Sequence, residues 1–305
     1  MTVEKAIIKV VGVGGAGCNA VAYMIREGVM GVEYICADTD SQSLMQSSAG
    51  TKLQIAPNLG SGNDPSASIK TAIAERDRIV DVLRGADMVF IIAGMGGVTG
   101  TAVATMVAEV THYLEIFTVA VVTRPFESES QRMRTAERGL AELVQHVSSL
   151  IVLSNEKLKK ILGEQVSMPE TFRYADTVLK IAVGSIADII NVPGIVGVDF
   201  GDVLQVMDKT GRGMMGVATV AGVDRARLAT EQALKSPLLE GADLFRAYGL
   251  LVNITASSSL ELDEIYEVMN TTRMYGPDHL VFGIAIDVGM NDGLRVTIFA
   301  TSLGS

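Results

Sequence analysis

The 305-residue chain is predicted to fold in the α/β class: a doubly wound, Rossmann-like parallel sheet, a long central helix, then a smaller α+β part. Three observations predict this. Short apolar runs rich in β-branched residues alternate with helical patterns through the first half. Two glycine-rich turns, VVGVGGAGCNA from Val10 to Ala20 and AGMGGVTGT from Ala93 to Thr101, each follow such a run and lead into a helical pattern. Beyond Asp199 the alternation gives way to helices followed by closely spaced strands. Continuous rather than alternating apolarity, with helices between, marks strands buried on both faces.

Strands are expected over 6–11, 32–37, 88–92, 117–122 and 150–153, and helices over 19–27, 68–83, 101–112 and 135–146. In such a sheet, ligand-binding turns lie at the carboxyl ends of the strands. The long helix is expected over 169–190. Phe172, Ala175, Leu179, Ala182, Ile186 and Ile189 recur at spacings of three and four, one continuous apolar stripe. Val192-Pro193-Gly194 ends it. Helices over 203–207 and 225–234 then precede strands over 250–256, 280–286 and 294–300, with a helix over 262–269 between the first two. The corresponding domains are 1–168, the helix 169–192, and 193–305.

Composition narrows the function classes. The chain is 48% hydrophobic and 20% charged, as in an ordinary globular protein. Its formal net charge of −10 argues against nucleic acid or an anionic membrane as a general partner. No apolar stretch approaches the roughly 18 residues a membrane span needs, so no direct membrane insertion is expected. The N-terminus, MTVEKAIIKV, places acid beside base and enters a strand at once, unlike a signal peptide. The two cysteines, Cys18 and Cys36, lack metal-ligand spacing and point to a reducing cytosol. No metal-binding side-chain set is expected.

The glycine turns carry the chemistry. Glycine lets backbone N–H groups approach an anion closely, and the helix behind adds unpaired N–H groups and the positive end of its dipole. Two such turns in one sheet suit a ligand with several phosphates. Gly12, Gly14, Gly15 and Gly17 spell G-x-G-G-x-G, and Asp38 follows 21 residues after Gly17. That is the place of the ribose acid in a nicotinamide-dinucleotide site, so a dehydrogenase stands as a rival reading. The second turn, with Gly94, Gly96, Gly97, Thr99, Gly100 and Thr101, is superfluous to a dinucleotide. It lacks the lysine of a Walker loop. A third turn, Gly60 to Pro65, is either a common loop or a cover for a terminal phosphate. His112, His146 and His279 have no catalytic context and read as surface or packing residues. Cys18 reads as a small packing residue, and Arg124, Arg132, Arg134 and Arg138 as a partly solvated basic face. Asp199 and Asp202, in GVDFGDV, have two open readings: a helix-capping pair, or carboxylates that orient a water for attack on phosphate.

Taken together, IKVVGVGGAGCNAV, ADTDSQSL, GADMVFIIAGMGG, TVAVVTRPF, SNEKL, FRYADTVLKIAVGSIADII, VDFGDV, SPLL, LLVNITA and MNDGLRVTIFATSLG resemble the tubulin/FtsZ superfamily, and its bacterial FtsZ branch in particular, over nearly the whole chain. The resemblance implies a GTP-binding, self-polymerising GTPase of the cytoplasmic division ring, using GTP/GDP and Mg²⁺. Gly14, Gly15 and Asn19 match the first phosphate loop and the residue beneath the base. Gly96, Gly97, Thr99, Gly100 and Thr101 match the signature loop. Glu129 and Arg132 match ribose and phosphate contacts, and Asn155, Phe172 and Asp176 the guanine pocket. Asp199 and Asp202 match the acidic loop that completes catalysis in the neighbouring subunit of a head-to-tail filament. Division proteins are implied as further partners through a terminal peptide that this sequence does not include.

Spacing supports the shared site. Asp176 and Ile190 are fourteen residues apart on one helix, about 21 Å at about 1.5 Å per residue, although 191–198 leaves room for the chain to double back. The family loop GGGTGTG reads GGVTGTA here, with Val98 and Ala102 in place of glycines, and Gly197 and Asp38 replace asparagines. Val98 is expected to stiffen the turn, crowd a phosphate and be strained if its φ is positive. These departures raise a second reading, a nucleotide-binding structural or regulatory paralogue with weak hydrolysis.

Overall fold

A computed structural model describes residues 5–55, 65–163, 165–191, 198–208 and 211–301. The chain divides into two compact units, one covering Ala6–Lys180 and the other running from Ile181 onward.

The first unit alternates strand and helix. Its elements are β1 (Ile8–Val13), α1 (Gly14–Arg26), β2 (Glu33–Asp38), α2 (Ser41–Gln46), β3 (Thr51–Gln54), α3 (Pro65–Leu83), β4 (Met88–Gly94), α4 (Val98–Tyr113), β5 (Phe117–Arg124), α5 (Ser130–Leu143), β6 (Ser149–Ser154) and α6 (Asn155–Leu162). The strands pair in the order β3-β2-β1-β4-β5-β6, and every pairing is parallel. Every residue of β1 and the first six of β4 are buried, as strands covered on both faces should be. The core on one face gathers Val11, Val89, Ile91, Val103, Val107 and Leu143. The order reverses between β1 and β4, so the crevice beyond the carboxyl ends of these two strands is the topological switch point where such sheets bind ligands. Both glycine turns leave from those ends.

The helix α7 (Met168–Asn191) crosses from one unit to the other, the division falling between Lys180 and Ile181. Its stripe is core: Ala175, Leu179, Ala182, Ile186 and Ile189 are buried, whereas Phe172 remains 43% exposed. The Val192-Pro193-Gly194 stop lies outside the described residues.

The second unit adds α8 (Phe200–Met207), β7 (Arg212–Ala221), α9 (Arg225–Leu234), β8 (Gly249–Ala256), α10 (Leu262–Arg273), β9 (His279–Ile286) and β10 (Gly293–Thr301). Its sheet runs β7-β10-β8-β9, antiparallel except for β8 with β9. The sequence pattern predicted three strands here and the described residues form four. The missed strand, β7, reads RGMMGVATVA, whose glycines and methionines carry no strand period. Gly216 is needed because α9 lies on it: a Cβ would stand 2.1 Å from the Ala233 carbonyl oxygen. Arg225, 5% exposed, ties this unit together, its Nε and Nη2 donating to the two Glu264 carboxylate oxygens at 2.6 and 2.9 Å.

Also absent from the sequence reading are β3, α2 and α6. Edge strand β3 is only TKLQ and has one neighbour, so it carries no apolar run. The predicted helices at 19–27, 101–112 and 135–146 start earlier in the structure, at Gly14, Val98 and Ser130. The glycine-containing starts of α1 and α4 and the polar start of α5 lack the 3.6-residue apolar period by which sequence reading finds helices.

Candidate functional site

The switch point presents two helix N-termini without side-chain caps. Val13 at the N-cap of α1 and Gly97 at that of α4 offer no capping oxygen, and neither helix has an acid in its first turn. Their first N–H groups are therefore left for an external acceptor, with the helix dipole favouring an anion.

The glycines divide by task. Gly17 and Gly100 allow close packing: a Cβ would lie 2.1 Å from the Ile92 carbonyl oxygen or 2.3 Å from that of Gly94. Gly14 and Gly96 take positive φ of 66° and 97°, which glycine adopts freely. A Cβ on Gly15 or Gly97 would meet nothing within 4 Å. Those two positions face open space, where a ligand can approach the backbone.

The hydroxyls brace the second turn. Thr101 is buried and its Oγ1 accepts the Gly96 N–H at 2.9 Å. Thr99 Oγ1 lies 3.0 Å from Thr39 Oγ1, a link from the end of β2 that the sequence did not signal. Val98 is the first helical residue of α4, 67% exposed and outside the set of positive-φ residues. The strain expected there is not present, because the position is helical rather than left-handed. Ala102 is exposed on the same helix, where alanine is favoured over glycine by roughly 1 kcal/mol.

Beside these turns, Asn19, Arg132, Asn155, Phe172 and Asp176 line one cavity of about 320 Å³. They come from α1, α5, α6 and α7. Pro125 and Thr123, from the end of β5, complete a wall that was legible only as part of the TVAVVTRPF segment. Asn155 is 6% exposed and its buried Oδ1 has no hydrogen-bond partner among the described residues, an acceptor left unsatisfied beside the cavity. Burial pushes the Asp176 carboxyl up to about 6, against a smaller opposing pull from Arg26. Phe172 tilts against Phe126 with centroids 6.2 Å apart. Glu129 stands at the N-cap of α5; one oxygen accepts the Phe126 N–H at 3.1 Å and the other pairs with Arg132. A carboxylate acceptor, an orphan amide oxygen, an aromatic face and a guanidinium form a set suited to a polar planar base and its anionic tail.

Asp199 and Asp202 belong to the other unit. Asp199 Oδ1 accepts the Asp202 N–H at 2.9 Å and Asp202 Oδ2 accepts the Asp199 N–H at 3.1 Å, a reciprocal capping box on α8. The capping reading therefore holds, and each carboxylate has a further oxygen. Asp38, the rival ribose acid, is buried and its Oδ1 holds the N–H groups of Thr39 and Asp40. His112 packs edge-on against His146, and His279 tilts against Tyr248. The turn at 60–64 and Gly197 lie outside the described residues.

Residues 7–163 match the family model for the Tubulin/FtsZ family, GTPase domain, and residues 211–304 that for the FtsZ family, C-terminal domain. The chain belongs to the tubulin/FtsZ family. It is 48% identical over 309 residues to the cell division protein FtsZ of Pseudomonas aeruginosa, covering 99% of this chain and 78% of that one. A second relative, the cell division protein FtsZ of Buchnera aphidicola, is 48% identical over 308 residues, covering 99% and 80%. Among solved structures, an empty FtsZ dimer from M. jannaschii superposes with a TM-score of 0.90 at 36% identity, covering 98% of this chain and 89% of that one. The CetZ2 protofilament of Haloferax volcanii, at 16% identity, TM-score 0.78 and coverage of 96% and 92%, shares the fold. Membership makes the chain a GTPase and a cell-division protein of the cytoskeletal class. The dehydrogenase reading falls with it, and nothing in these matches favours a weakly hydrolysing paralogue. Among the described residues no helix is long and apolar enough to cross a membrane.

Proposed function

We propose that this GTPase holds GTP or GDP at the switch point of its first unit and hydrolyses GTP at head-to-tail contacts between copies, as a self-assembling filament at the division site. The observation that carries the nucleotide placement is the pair of uncapped helix N-termini beside a cavity lined by Asn155, whose Oδ1 lacks a partner among the described residues. The phosphates lie over the amides of Gly14 and Gly15 on one side and Gly96, Gly97, Thr99 and Gly100 on the other. Thr101 serves by fixing Gly96. Asp176 accepts N–H groups of the guanine edge, Asn155 takes a further donor, and Phe172 covers the ring face. Asn19 lies beneath the base; Glu129 holds Arg132 in place toward ribose and phosphate.

Among the described residues no group of three or more His, Cys, Asp or Glu side chains is arranged to hold a metal. Bound Mg²⁺ would supply charge neutralisation at the triphosphate beside the two turns. The protein's share of phosphoryl transfer is positioning and charge stabilisation. Asp199 and Asp202 of the next copy supply it by orienting the attacking water through the oxygens their capping box leaves available. The solved FtsZ dimer from M. jannaschii, 36% identical, supports self-association. A heterologous contact does not close on itself and so builds a filament.

The test is phosphate release per subunit against protein concentration, with sedimentation in GTP and in GDP. Turnover should rise above a critical concentration together with pelletable polymer. A rate per subunit that stays flat across that range removes the shared site.

A further inference from the structure

The base site takes its groups from separate helices. Asn19, on α1, and Asp176, on α7, line the same cavity, and neither helix by itself fixes the distance between them. One turn beyond Asn19, on the same face of α1, stands Tyr23; next to Asp176 on α7 stands Thr177. Their hydroxyl oxygens meet at 3.2 Å. Thr177 Oγ1 also donates to the Arg173 carbonyl oxygen at 3.1 Å. A hydroxyl has one proton, so the Tyr23 O–H donates and Thr177 Oγ1 accepts. The Arg26 guanidinium covers the ring that carries this donor, 4.9 Å from its centre. A second tie between the same helices, Lys180 Nζ to a Glu27 oxygen at 3.5 Å, is partly exposed, and such pairs contribute little.

We propose that the Tyr23–Thr177 hydrogen bond is the ruler of the base slot: by holding α1 to α7 immediately beside Asp176, it sets where that carboxylate meets the base edge, and so how strongly guanine is preferred. The proposal rests on the guanine-site reading of this cavity. Neither Tyr23 nor Thr177 is among the residues lining it; both act through Asp176, as positioning residues. A hydrogen bond keeps its strength over only a few tenths of an ångström. A carboxylate that drifts therefore loses its donors on the base, while the phosphate contacts at the glycine turns stay as they were. Discrimination between bases, more than affinity for nucleotide, is what the tie protects.

The whole chain, freed of nucleotide, is titrated calorimetrically with GDP and with inosine diphosphate, which lacks only the 2-amino group of the base. The unaltered chain should prefer GDP. Tyr23→Phe keeps the ring and its Arg26 contact and removes the donor; Thr177→Val removes the acceptor. Each should cut the preference about fivefold, the worth of one hydrogen bond. The double variant should lose no more than either single one, as when both ends of one bond are removed. Thr177→Ser keeps the hydroxyl and should keep the preference. A merely structural role would weaken both nucleotides alike and leave their ratio unchanged; that result, or losses that multiply in the double variant, would overturn the proposal. If either single variant fails to fold, the other decides. An unaltered chain that binds both nucleotides equally would remove the guanine-site reading and the proposal with it, whereas a preference that survives both substitutions removes the proposal alone.

Discussion

At the scale of single residues, glycines of the two turns look alike in sequence and differ in what surrounds them. Gly17→Ala puts a methyl 2.1 Å from the Ile92 carbonyl oxygen and should cost about 3 kcal/mol of stability. Gly15→Ala meets no atom within 4 Å; it should leave the melting curve nearly unchanged yet weaken guanine-nucleotide affinity, since a Cβ then intrudes on the proposed phosphate position. Equal destabilisation of both variants would contradict the division of tasks. Asp176 yields a pH dependence. Its carboxyl titrates near 6 when folded, raised by burial from 3.8. The unfolded chain therefore ionises first, and the stability present below pH 3.8 is lost as pH rises through about 6. Binding of a base through the ionised carboxylate runs the other way, so GDP affinity should fall as pH drops below about 6. In Asp176→Asn that acid limb should vanish. Titration calorimetry from acid to neutral pH checks it, and an unchanged limb would place the titrating group elsewhere.

At the scale of elements, the start of α8 has two tasks for one pair of acids. Asp202 is the N3 partner of the box, accepting the Asp199 N–H, a bond an asparagine oxygen can also accept, so charge and box can be separated. Asp202→Asn should keep stability within about 0.5 kcal/mol, whereas Asp202→Ala should lose about 1 kcal/mol. Both should retain nucleotide and lose at least about a hundredfold in GTP turnover, roughly 2.7 kcal/mol of barrier. Normal hydrolysis by the asparagine variant would leave Asp202 as a cap alone. The helices α1 and α4 show the opposite economy. They begin on Val13 and Gly97 with no side-chain cap, and the stability forgone is what keeps their amides available. Val98 then opens an ordinary helical first turn and Ala102 begins the second, and their departure from glycine reads as stabilisation of α4.

At the scale of the molecule, cradle and acids lie in different compact units, and the proposed filament joins them between copies. Mixing two inactive variants tests this without reference to the position of either unit. Asp176→Ala has intact acids and a damaged cavity; Asp202→Asn has the reverse. In an equimolar mixture at polymerising concentration, roughly a quarter of random head-to-tail contacts pair an intact cavity with intact acids. Turnover should reappear to about that extent. No recovery, with both variants co-sedimenting, would mean each chain must supply the whole site itself.

Much of the architecture was legible because it is encoded locally. The apolar runs of β1, β4 and β5 and the stripe along α7 are properties of neighbouring residues, set by backbone preference and period. Ordered segments from Ile8 to the end of β10 carried the family. Short or edge elements such as β3 and β7 escaped, because their strand state depends on what they pair with. The site was legible by resemblance as a set of residues, and its working was not. Burial around Asp176, the orphan oxygen of Asn155, the open side of Gly15 and the closed side of Gly17 all arise from atoms distant in the chain. Desolvation and steric contact depend on everything nearby in space, and a linear pattern records only what is nearby along the backbone.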